Sequence, residues 1–93
     1  MTPLELLARA PVEFKPLQDF HSDKMQSDYV TGMRYTLRSD LASHYHDPEV
    51  KEYLQGKIQD LAICVSQWLA EGKIVLIDRD VNEKQIRGTG FVG

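Results

Sequence analysis

Apolar residues recur along the chain with two different periods, and the change between them divides it into elements. Across residues 47–72, Val50, Leu54, Ile58, Leu61, Val65 and the Trp68-Leu69 pair fall at steps of three and four. That spacing draws one stripe along a helix. The flanks carry the matching boundary signals. Asp47 suits the N-cap, where a carboxylate accepts from the free amides of a first turn. Pro48 fits the first helical position, which needs no amide. Glu49 and Glu52 put negative charge near the positive end of the helix dipole, and Gly72 stands where a left-handed residue closes a helix. Lys51, Gln55, Gln59 and Gln67 make the opposite, polar face.

Upstream, Thr2-Pro3-Leu4-Glu5 has the form of a capping box, and Pro11 ends the run that follows. The pattern predicts a helix of about two turns, too short to stand alone in water, docked through Leu4 and Leu7. Val12-Glu13-Phe14-Lys15 alternates as a half-buried strand does, and Pro16 limits it to an edge, a strand end or a bulge. The polar segment 21–28 reads as a loop. Residues 29–38 are rich in β-branched and aromatic side chains and form the clearest strand. Met33, Tyr35 and Leu37 share one of its faces, Arg34, Thr36 and Arg38 the other, and Gly32 marks a turn or bulge before the strand. The unbroken apolar run at 73–77 predicts a strand buried on both faces, hence central. Residues 78–93 have no strong periodicity and end with Phe91-Val92 as an apolar plug between glycines.

The element order is helix, strand, strand, helix, strand, tail. It predicts the α+β class: a small, mainly antiparallel sheet packed on one long α-helix, with a short N-terminal helix and a C-terminal extension. We draw one domain at 1–78 and a tail at 79–93.

Composition narrows the function classes. A chain of 93 residues, 42% hydrophobic and 27% charged, is one small folded domain. Its net charge of −3 disfavours sequence-independent nucleic-acid binding, which needs clustered Lys and Arg to displace counterions. A single cysteine makes no internal disulfide and fits a reducing compartment. No signal-peptide pattern and no apolar run near the ~20 residues that span a bilayer are visible. The expected location is a cytoplasm.

Candidate chemistry is sparse. His44-Tyr45-His46-Asp47 is the one cluster of metal-ligand types. On an extended strand His44 and His46 would point the same way, with Asp47 or His21 adding a ligand. A zinc site needs three or four ligands, and Asp47 is already committed to the helix cap, so no metal or other cofactor is expected. Cys64, among Leu61, Val65 and Trp68 on the helix, reads as a small packed residue. Gly88-Thr89-Gly90 lacks the strand-to-helix context of a dinucleotide loop. No catalytic residue is assigned. Stacking on a nucleic acid would need aromatics and cations on one sheet face, and strand alternation turns Tyr35 away from Arg34 and Arg38.

Tyr29-Val30-Thr31-Gly32-Met33-Arg34-Tyr35, followed by Trp68-Leu69-Ala70-Glu71-Gly72 and a last strand, resembles small tailed-phage and prophage-encoded proteins. In these a Y-x-x-G-x-x-Y strand leads to a helix ending W-[LIV]-x-x-G. The likeness covers about a third of the chain, and this chain adds an N-terminal helix, a longer central helix and a glycine-rich tail. The resemblance implies a phage origin and a place in virion assembly, and it carries over no functional residue. The expected function is therefore a non-enzymatic protein–protein interaction module, a small virion or assembly component docking to sister subunits or other phage structural proteins, in the host cytoplasm or the particle. The alternative is an inhibitor of a host enzyme or defence complex, using Asp19, Asp23 and Asp28 against a nucleic-acid-binding surface. A nucleic-acid-binding regulator is a third reading. The expected interface residues are Leu4, Leu7, Arg34, Arg38, Phe91 and Val92.

Overall fold

The computed structural model describes residues 1–77. Phe91, Val92 and the boundary drawn after residue 78 lie outside them. Within them the architecture is α+β, as the pattern predicts. Helix α1 (Pro3–Arg9) leads into strand β1 (Val12–Pro16), and a hairpin of β2 (Phe20–Ser22) and β3 (Ser27–Tyr29) follows. Strand β4 (Tyr35–Leu37), a 3-10 turn (Leu41–His44), helix α2 (Pro48–Glu71) and strand β5 (Ile74–Ile77) complete the body. The sheet runs β4-β1-β5, antiparallel throughout, and β2-β3 pair separately.

Helix α2 forms where its sequence says it should. Asp47 Oδ1 accepts from the Glu49 N–H at 2.9 Å. Gly72 has φ 75°, and Lys73 N–H closes onto the Trp68 carbonyl at 2.9 Å. The chain thus turns back at once, and β5 returns along the helix it has just left. The fully covered positions of α2, Ala62, Cys64, Val65 and Trp68, all lie in its C-terminal half.

At the other end of the chain, Thr2 and Glu5 complete the capping box in both directions. The docking residue of α1 is Leu6, which is fully buried, with Leu7 at the core margin. Leu4 is 78% exposed, which corrects the expected Leu4–Leu7 docking pair. The helix is rotated so that Pro3, Leu6, Leu7 and Ala10 form its covered face, and Leu4 falls outside that arc.

Three strand expectations are also corrected. Among the described residues strand β5 lies at an edge and β1 at the centre. A run such as Ile-Val-Leu-Ile shows a taste for strand but not which face is covered, and Val75 points outward, 44% exposed. Pro16 is the last residue of β1, where its missing amide costs no ladder bond. The segment 21–28 is not a loop but most of the β2-β3 hairpin. With only Phe20 and Tyr29 apolar at its ends, it is too short to show a period. In the β stretch at 29–38 the turn expected at Gly32, φ 90°, does precede the strand, which is shorter than the pattern suggests: Tyr35 begins β4, while Tyr29 before the turn belongs to another strand, β3.

The register fixes the core. Val12 lies opposite Leu37, Phe14 opposite Tyr35 and Leu76, and Pro16 opposite Ile74. These side chains face α2. Phe14, Phe20, Tyr29, Tyr35 and Trp68 form one continuous group of rings, with centroids 4.8 to 6.3 Å apart. Such tilted and offset rings attract beyond their buried area. Burial pushes the Tyr29 hydroxyl above its ordinary pKa, so it stays neutral in the core.

Candidate protein-docking site

The division of the 29–38 stretch places apolar side chains where a strand would not have put them. Two connections meet at one end of the sheet: residues 17–19, leaving β1, and residues 30–34, entering β4. Asp19 Oδ1 accepts from the Thr31 N–H at 2.7 Å and ties one to the other. The Val30 N–H donates to the Tyr35 hydroxyl at 3.0 Å, and the Met33 N–H closes the turn onto the Val30 carbonyl at 3.2 Å. The Leu17 N–H donates to the Lys73 carbonyl at 2.7 Å. On this fixed backbone Leu17 is 59%, Met33 55% and Val30 43% exposed.

The glycine makes the turn possible. Gly32 sits in the left-handed region, which a side chain disfavours, and a Cβ built there would meet nothing within 4 Å. The backbone angle, not crowding, asks for glycine. The electrostatics are equally local. The Thr31 amide, and then its hydroxyl, hold the Asp19 carboxyl below the usual carboxylate pKa. The tie between the two loops is therefore in its ionised, stronger form at neutral pH. Arg34, one of the expected interface residues, borders the turn and lies 3.8 Å from Glu13 Oε2. The result is three exposed apolar side chains on two loops held by hydrogen bonds, with the charged Arg34 next to Met33 in the chain.

The other sequence candidates are scattered. Arg38 makes a paired hydrogen bond to Asp40, at 3.2 Å from Nε and 3.0 Å from Nη2. That pairing lowers the Asp40 pKa and raises that of Arg38. Leu4 stands exposed on α1 while Leu7 is half-buried. Asp23 and Asp28 bracket His21, at 3.3 Å from Nε2 and 2.6 Å from Nδ1, and so knit the β2-β3 hairpin. With Asp19 tied to Thr31, the three aspartates face local partners of their own.

The His44/His46 pair does not share a strand. His44 ends the 3-10 turn, with Nε2 3.7 Å from Asp40 Oδ2, and Asp47 caps α2. Among the described residues no group of three or more His, Cys, Asp or Glu could hold a metal ion. Cys64 is buried, and that burial pushes its thiol above the ordinary pKa, which keeps it in the unreactive protonated form. Among the described residues no helix is long and apolar enough to cross a membrane.

Sequence reasoning missed Leu17 and Val30 as surface residues and grouped Met33 with Tyr35 and Leu37 on one strand face, whereas Met33 lies in the turn and is exposed. The signal was Gly32: apolar residues flanking a turn glycine leave the strand alternation and project outward. Comparison with protein-family models, with curated proteins and with solved structures finds no match to this chain.

Proposed function

We propose that this chain is a non-enzymatic protein-docking module and that Leu17, Val30 and Met33 form the centre of its docking surface. One observation carries the reading: exposed apolar side chains sit on two loops that the Asp19 carboxylate ties to each other, while hydrogen bonds of Leu17 and Val30 fasten them to Lys73 and Tyr35. Association costs free energy for every loop it has to order, and a surface fixed beforehand avoids that cost. Met and aliphatic groups framed by charge are suited to the centre of such an interface. The resemblance to prophage-encoded proteins supplies the setting, a small virion or assembly component that meets neighbouring subunits. There, symmetry repeats a modest contact many times and gives it avidity.

The test is incorporation into particles. A tagged chain expressed in its native host should co-sediment with purified virions, and Met33→Asp should abolish this. Because Met33 is exposed, that substitution should change stability by no more than about 0.5 kcal/mol, read by thermal melting. A chain recovered only in a soluble complex with one host protein would replace assembly with inhibition. Unchanged incorporation of Met33→Asp and Val30→Asp would remove the proposed surface.

A further inference from the structure

Among the described residues, β5 is an edge strand made only of apolar residues, Ile74-Val75-Leu76-Ile77. Natural edge strands are normally blunted by charge, proline or a bulge, because their free backbone groups are a template for another strand. Strand β5 has neither a charge nor a proline, and its register with β1 is continuous. One bond fixes which way its backbone groups point. The Leu17 N–H donates to the Lys73 carbonyl, and this pair continues the register that sets Pro16 opposite Ile74. In an antiparallel ladder only alternate residues turn their N–H and C=O toward one neighbour. Lys73, Val75 and Ile77 therefore face β1, and the N–H and C=O of Ile74 and Leu76 point to the open side. Among the described residues these outward groups have no hydrogen-bond partner. Val75 stands exposed between them on the sheet's outer face.

The opposite edge is guarded. Strand β4 is three residues long and lies between Arg34 and Arg38. Pairing β4 with its own copy about Thr36 would set Arg34 opposite Arg38, and like charges directly opposite are destabilising. Pairing β4 with the β5 of another copy leaves a free edge at each end and builds an open polymer. Pairing β5 with β5 is closed and free of charge conflict. We infer that the chain forms a two-fold dimer through antiparallel β5–β5 pairing, with Val75 opposite the partner's Val75. In that register Ile74 lies opposite the partner's Leu76, and these pairs exchange the hydrogen bonds that their outward groups leave open. Their side chains, on the α2 side, continue the apolar inner face across the axis, and Val75 is covered by its own counterpart. Two sheets become one, in the order β4-β1-β5-β5-β1-β4, and β5 takes the central place that its unbroken apolar run predicts. The surface of Leu17, Val30 and Met33 lies off the paired edge, so the dimer stands independently of the docking reading.

Sedimentation equilibrium of the full-length chain should show a dimer at about 100 µM, well above a micromolar dissociation constant. Val75→Lys sets two ammonium groups against each other at the axis and should raise the dissociation constant at least about tenfold, with the circular dichroism of the wild type. Val75→Cys should link two chains by a disulfide under mild oxidation, because residues facing each other in a non-hydrogen-bonded pair bring their Cβ atoms close. Thr36→Cys, also exposed but on β4, should not. Cys64 is buried and does not compete. A monomer at that concentration overturns the inference, and so does a dimer that Val75→Lys leaves as tight as wild type. If Val75→Lys fails to fold, the disulfide decides: no linked dimer from Val75→Cys, or as much from Thr36→Cys, removes the β5 interface.

Discussion

Phe14, Tyr29 and Tyr35 on one side, joined by Trp68 of α2, and Leu17, Val30 and Met33 on the other, are apolar sets that lie close together along the strands and loops of the chain. The first set lies in one ring cluster between sheet and helix, and the second stands in solvent at the loop end. The difference is one of backbone, not of side-chain chemistry. Tyr29 and Tyr35 end and begin strands whose pleat turns them inward, whereas Val30 and Met33 occupy the turn between them. The Tyr35 ring packs in the core while its hydroxyl accepts from Val30, so the buried set holds the exposed set in place. On the proposed reading, Tyr29 and Tyr35 serve stability while Val30 and Met33, between them, serve recognition.

The sharpest way to break that contrast is at Phe14, fully buried and in contact with three of the other rings. Phe14→Ala should cost about 3–5 kcal/mol. In a domain of this size, with a total stability of roughly 5–10 kcal/mol, that should leave the chain marginally folded, which urea unfolding would show. A loss under about 1 kcal/mol would mean that the cluster does not carry the fold.

Helix α1 repeats the contrast within two residues. Leu6→Ala should cost about 2–4 kcal/mol, because it removes the side chain that docks a helix too short to persist alone. Leu4→Ala should fall within about 0.5 kcal/mol of wild type. Equal effects at the two positions would show that α1 is not docked through the face described. Chemical denaturation of the two variants side by side measures the difference directly.

These pairs also show how far the sequence could be read. Both helices were legible with their caps, because capping residues and the three-four period are local signals that tertiary packing rarely overrides. The α+β class followed from the element order. Which leucine of α1 turns inward was not legible, since rotation about the helix axis is set by the surface it meets. Nor was the rank of strands: among the described residues β1 carries a proline yet is central, and β5 is all apolar yet lies at the edge. The hairpin at 20–29 is built from three-residue strands accompanied by the His21–Asp28 and Ser22–Met25 bonds, which no periodicity announces. The surface proposed for docking was half legible. Gly32 signalled the turn, but the partner loop is joined to it by Asp19, twelve residues away in the chain.

That tie gives the smallest and most local test. Asp19 has a depressed pKa in the fold because the Thr31 amide and hydroxyl favour its charged form. Its contribution is therefore fully present above the ordinary carboxylate value of about 3.9, and it is lost as pH falls through the lower, folded value. The sign is that of a bond weakened by acid and indifferent to alkali. Amide exchange of Thr31, corrected for its intrinsic pH dependence, should stay slow from neutrality to about pH 4 and become faster below it. Asp19→Ala should exchange fast at every pH while the α2 amides remain protected. If Thr31 stays as protected in Asp19→Ala as in wild type, the loops are held by the sheet alone. The exposed apolar surface would then owe its order to the same core as everything else, and the division between the two regions would dissolve.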